Sequence, residues 1–162
     1  METLKNKTLA LLLWIAELQI GVCESPAGSN KVKYNTAYYG REVSGSAYPW
    51  CMVFIWWIFK QAGFNLKKTA SCGTLTKAYK ESGQWVTEGF RRGDIVMFDF
   101  SGKKTKTEHV GLVIAVSTDG RTVTTIEGNT ATGDNCNGGM VMKRTRSTKY
   151  ITGACRPKYV DG

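Results

Sequence analysis

Apolar positions cluster at helix length in the first half of the chain and at strand length after Gln84, so the hydrophobic pattern divides the chain into a helical part and a stranded part. The run Leu9–Ala16 predicts a buried helix over residues 3–20, closed by Gly21. Lys5 and Lys7 ahead of that run resemble the start of a signal-peptide core. However, the run is far below the roughly 20 residues of a membrane span, Glu17 follows at once, and no small-x-small cleavage site is present. Ile20-Gly21-Val22-Cys23 is a poor lipoprotein site because of Val22. The expectation is a helix that belongs to the fold, in a chain made in the cytoplasm without a cleaved leader.

Residues 24–48 are polar and rich in glycine and tyrosine, and read as a long loop with one helical turn near residues 31–37. Loops of this length in a compact domain are usually functional. Pro49 then opens a helix that runs to Ala62, with Gly63 just past its end. Residues 50–59 are apolar all round, which marks a central, buried helix. A weaker helix is predicted over 72–82. Strands are predicted over 94–100, 109–117, 122–127, 140–144 and 150–159, separated by Gly, Asp, Asn and Lys clusters. Asp119-Gly120 between two of them signals a hairpin. Helices followed by antiparallel strands define an α+β fold, expected as one domain over residues 1–162.

Composition narrows the function. The chain has 162 residues, 42% apolar, with 22 basic and 13 acidic residues and a net charge of +9. Such a charge favours polyanions, among them anionic cell-wall polymers, or merely keeps the protein soluble. No nucleic-acid motif is present, and no nucleic-acid partner is expected. Five cysteines without a Cys-x-x-Cys pair, and a single histidine, argue against a structural zinc. The odd cysteine count leaves at least one thiol unpaired and allows up to two disulfides, which spacing does not establish; the simplest expectation is a reducing compartment with reduced thiols.

Chemistry that needs an imidazole near neutral pH must use His109, the only histidine, at the start of a predicted strand. Alone, such a residue commonly does no more than satisfy hydrogen bonds. Cys51 changes that picture, because it falls in the first turn of the buried helix, where free N–H groups stabilise an anion. A thiolate there is a nucleophile; the plain alternative is a small buried hydrophobe. Cys23, Cys72 and Cys155 lack this context, and Cys136 lies in a polar loop. A cysteine nucleophile needs a base, and the base needs a group to hold its ring. Folding the hairpin about residues 118–120 brings His109 opposite positions 127–129. Glu127 and Asn129, two apart on an extended chain, share a face. Either can accept from one ring nitrogen while the other faces Cys51.

These residues resemble the CHAP domain, the cysteine- and histidine-dependent amidohydrolases and peptidases of bacterial and phage cell-wall lysins, within the papain-like superfamily. The resemblance rests on Tyr48-Pro49-Trp50-Cys51 opening an apolar helix, Arg92 to Phe98, His109 to Val113, Ile126 to Thr130, and the segment Gln19 to Ser25. It implies Cys51 as nucleophile, His109 as base and then acid, and Glu127 and Asn129 as ring-orienting groups. Some members carry an Asp-x-Asp calcium loop before the cysteine; here Asn35, Ala37 and Arg41 stand in that region, so no metal or other cofactor is expected. Trp50, Tyr48 and Tyr39 are candidate walls of a substrate cleft. The implied function is an endolysin-like peptidoglycan hydrolase acting as a monomer at the bacterial cell wall. An N-acetylmuramoyl-L-alanine amidase is the leading assignment; the alternatives are a stem-peptide or cross-bridge endopeptidase, an acyltransferase, or a non-catalytic wall-binding module.

Overall fold

A computed structural model describes residues 8–161 of the chain. The predicted N-terminal helix starts inside its expected bounds. Helix α1 spans Leu9–Leu18, with Thr8 as its N-cap accepting from the Leu11 amide; residues 3–7 of the expected helix lie outside the described residues. It is not buried all round, as expected, but on one face only. Leu9, Leu12 and Ala16 are buried, whereas Trp14 is 61% and Leu18 59% exposed. The reason is helical geometry: positions three and four apart meet the core squarely, Leu11, Leu13 and Ile15 pack against it in part, and the opposite side turns to solvent. The Asp161 carboxylate, from the far end of the chain, accepts from the Leu9 and Ala10 amides and so meets the positive end of α1.

The helical turn in the 24–48 segment is a short helix, α2 (Lys33–Tyr39), ended by Gly40 at φ 73°. The central helix α3 spans Cys51–Gln61, with Trp50 rather than Pro49 at its N-cap. Its residues from Cys51 to Phe59 are buried except Trp57, matching the apolar pattern. Helix α4 (Cys72–Glu81) is capped by the Ser71 hydroxyl.

Six strands form one antiparallel sheet in the order β1-β6-β2-β3-β4-β5. They are β1 (Trp85–Val86), β2 (Ile95–Phe98), β3 (His109–Val116), β4 (Thr122–Thr130), β5 (Met140–Ser147) and β6 (Ile151–Cys155). Strand β1 was not expected, being too short to show a period. Strands β4 and β5 run three residues further than predicted, so Glu127 and Asn129 sit inside β4. The last strand is shorter than predicted, because Tyr150 lies in a 3-10 turn and Pro157 follows soon after. One sheet face packs on α3 through Ile95, Met97, Val110, Leu112, Ile126 and Val141. The other carries Val96, Phe98, Val113, Val123 and Ile151. Gly128 lets β4 close on α3, since a Cβ there would stand 2.6 Å from Phe54 Cβ. Among the described residues no helix is long and apolar enough to cross a membrane.

Candidate active site

Three elements converge at one end of the sheet. Helix α3 begins with Cys51, β3 begins with His109, and β4 carries Glu127. The predicted hairpin joins the last two, with Gly120 at φ 70° and Ser117 N donating to Thr122 O. Leu112 pairs with Ile126 and Val113 with Thr125. Beyond Leu112 the backbone of Gly111 lies against the Glu127 side chain. Gly111 is required there, because a Cβ would lie 2.9 Å from Glu127 Cγ.

His109 is fully buried. Its Nε2–H donates to Glu127 Oε1 at 2.8 Å, while Nδ1 has no hydrogen-bond partner among the described residues. The ring packs beside the stacked pair Phe98 and Phe100, each centroid 6.0 Å away. Burial opposes the charged ring, but interaction with Cys51 and Glu127 outweighs it and lifts His109 to about 9. Cys51 moves the opposite way, well below the ordinary thiol range. The largest cause is interaction with the neighbouring Cys72 thiol; His109 and the Met52 amide add to it against the cost of burial. No side chain caps α3, so its first-turn amides remain available to an anion. The resulting charge state is a thiolate beside an imidazolium, which can attack a carbonyl and then protonate a leaving amine.

The Glu127 carboxylate is fully buried and fully used. Oε1 accepts from His109 and from Arg146 Nη2 at 2.5 Å; Oε2 accepts from Arg146 Nε at 2.9 Å and Thr125 Oγ1 at 2.5 Å. Burial would raise its pKa, but Arg146 and His109 hold it down at about 2. Asn129 is placed differently. Its backbone is left-handed, at φ 55°, beside a register shift in β4. Its Oδ1 accepts from Gly139 N and its Nδ2 donates to Asn137 Oδ1, so it ties down the 131–139 loop while Glu127 meets the ring.

Of the candidate cleft residues, Trp50 lies in the core. It is fully buried, with its ring 5.5 Å from Tyr34. Tyr39 and Tyr48 are half-buried and pack edge to face at 5.0 Å. Asn35 is also buried; its Nδ2 donates to Asn30 O and Tyr48 O, fixing the loop that leads to Cys51. All five cysteines are free thiols. Burial, Glu108 and Cys51 push Cys136 up to about 11, which keeps it protonated. Among the described residues no three His, Cys, Asp or Glu side chains stand together as metal ligands.

Sequence reading missed Arg146, Thr125 and Cys72. The period-two pairs Thr125/Glu127 and Arg144/Arg146 put each pair on one strand face and could have flagged the first two. Cys72 carries no such signal, because its proximity to Cys51 depends on how α4 docks.

Comparison with known proteins agrees with this geometry. The CHAP domain family model matches residues 43–129, which include Cys51, His109, Glu127 and Asn129. No curated protein matches significantly. Among solved structures, Ly7917 aligns with TM-score 0.55 and 17% identity, over 93% of this chain and 62% of that one. The wild-type endolysin LysIME-EF1 aligns with TM-score 0.58 and 11% identity, over 94% of this chain and 65% of that one. The chain therefore spans less than two thirds of the length of these neighbours. At such identities the likeness concerns the fold, and the family follows from the sequence match over more than half the chain: this protein belongs to the CHAP domain family.

Proposed function

We propose that this protein hydrolyses an amide bond of bacterial peptidoglycan, as an endolysin-like enzyme acting at the cell wall. The observation that carries the reading is His109 held through Nε2 by a buried carboxylate, with Nδ1 free for Cys51 at the start of α3. The Cys51 thiolate attacks the carbonyl carbon, and the Cys51 backbone N–H helps stabilise the oxyanion. The His109 imidazolium gives its proton to the leaving amine, which departs and leaves a thioester. His109 then takes a proton from water, hydroxide adds to the thioester, and the acid is released with the thiolate restored.

The preferred bond is the amide between N-acetylmuramic acid and the first stem residue. A bond within the stem peptide or cross-bridge is the alternative served by the same chemistry. Support for the wall as substrate comes from family membership, from the neighbouring endolysin, and from the net charge of +9. Cys51→Ala and His109→Ala, made separately, are expected to fold and to lose hydrolysis of purified peptidoglycan. Near-normal clearing of wall suspensions by either folded variant sinks the mechanism. If wall binding survives and the parent releases no product, the protein is a binding module. Mass spectrometry of the digest assigns the bond.

A further inference from the structure

Arg146 is a cation in an unusual place. It lies on β5, 6% exposed, and buried arginines are rare unless fully paired. Its guanidinium forks onto both oxygens of Glu127 and gives its remaining Nη1 to Asn135 Oδ1 at 2.7 Å. It also lies over Phe98 and Phe100, 5.5 and 5.0 Å from their centroids. The same stacked pair of rings packs beside His109. Arg146 and His109 thus share one carboxylate and one aromatic wall. Asn135 Oδ1 accepts in addition from Arg144 Nη2, and Arg144 Nη1 holds Thr130 Oγ1 and Ala131 O. Two arginines therefore tie the 131–139 loop to the strand behind the catalytic carboxylate.

We infer that Arg146 is a positioning residue for the hydrolysis proposed above: its fork sets the plane of the Glu127 carboxylate on His109 and, through Asn135, seats the 131–139 loop beside the site. The argument is geometric. A carboxylate bound only to His109 and Thr125 can rotate, whereas a two-point fork fixes its plane. Lysine would supply the charge without the fork. A buried ion pair is weak evidence for stability as such, so a positional role explains this one better than a structural role alone. The charged and titratable groups that act on the carboxylate and the ring are Cys51, Arg144 and Arg146, with Cys72 set against Cys51 and Cys136 against Cys51 and Arg146.

The test uses Arg146→Lys and Arg146→Ala, with folding checked by circular dichroism. Two readouts are taken: the rate of Cys51 alkylation by iodoacetamide against pH, and hydrolysis of purified peptidoglycan. Arg146→Lys is expected to lose roughly 10- to 100-fold in the hydrolysis rate at saturating wall, the loss seen when groups supporting a functional side chain are removed, with half-saturation nearly unchanged. The acid limb of alkylation moves up by about one pH unit, because a Glu127 carboxylate no longer held in plane stabilises the imidazolium, and through it the thiolate, less well. Methylguanidinium added to Arg146→Ala restores at least part of both rates. A folded variant whose alkylation profile and hydrolysis match the parent overturns the inference. So does failure of both variants to fold even with methylguanidinium present, which would make Arg146 a core residue only. Alkylation needs no wall substrate, so a mistaken choice of reaction, shown by an active Cys51→Ala, is read separately from a mistaken role for Arg146.

Discussion

Gly111→Ala tests the site at its tightest contact. The added Cβ would lie 2.9 Å from Glu127 Cγ, 3.1 Å from Thr125 Cβ and 3.3 Å from Thr125 Cγ2, where ordinary contact begins at 3.4 Å. Glu127 must therefore move by about half an ångström, and it cannot swing freely, because His109, Thr125 and Arg146 hold both oxygens. Overpacking of this kind costs about 1–3 kcal/mol. For a chain of this size that lowers the melting temperature by roughly 2–12 °C. A misplacement of about 1 Å costs on the order of 100-fold in rate, so half of that predicts about a tenfold loss. The assay is Cys51 alkylation at pH 6 together with peptidoglycan hydrolysis, below the variant's melting temperature. Parent rates in a folded Gly111→Ala protein would refute the claim that the Glu127 position governs the ring.

Four further outcomes are expected. Cys72→Ala removes the thiol that most favours the Cys51 thiolate, so the acid limb of alkylation shifts to higher pH; an unchanged profile excludes Cys72 as the main cause. In the parent, Cys51 is charged below the ordinary thiol range and His109 stays charged up to about 9. Hydrolysis should therefore hold a plateau and fall as pH rises through about 9, and a rate that instead climbs through the ordinary thiol range would contradict the pair. Glu127 is depressed to about 2, so its contribution to stability is present above its unfolded value of about 4.3 and fades as pH falls below that. Glu127→Gln should lose about 3–5 kcal/mol in urea unfolding at pH 7 by leaving Arg146 unpaired; a loss under 1 kcal/mol argues against a compensated buried pair. Asn129→Gly keeps the left-handed backbone but drops the bond to Gly139, so limited proteolysis within residues 131–139 should accelerate; equal cleavage rates would show the side chain holds nothing.

The legible parts of this protein were those set by short-range rules. An all-apolar run after a proline placed α3 and put Cys51 in its first turn, because burial on every side leaves a helix no other position. The Asp119-Gly120 turn placed Glu127 near His109 by counting alone, since an antiparallel pair allows one partner per register. The choice between Glu127 and Asn129 stayed open because both share a face. It turns on the left-handed backbone at Asn129, which a pattern of period two does not encode. Trp50 read as a cleft wall because it adjoins Cys51, yet its ring lies in the aromatic cluster with Tyr34. Arg146 and Cys72 come from β5 and α4, and only long-range docking brings them to the site. The one-sided burial of α1 was equally hidden, because its exposed Trp14 and Leu18 are as apolar as its core residues.

The solitary imidazole has a spectroscopic consequence. With one histidine in 162 residues, every imidazole nitrogen signal in a nitrogen-15 NMR spectrum comes from His109. Its two nitrogens face different partners, so tautomer and charge would be read directly, without assignment and without substrate. The neighbouring Phe98 and Phe100 rings should displace the imidazole proton resonances by their ring currents. A change in those shifts on adding wall fragments would report occupancy of the cleft, even in a variant that cannot turn over.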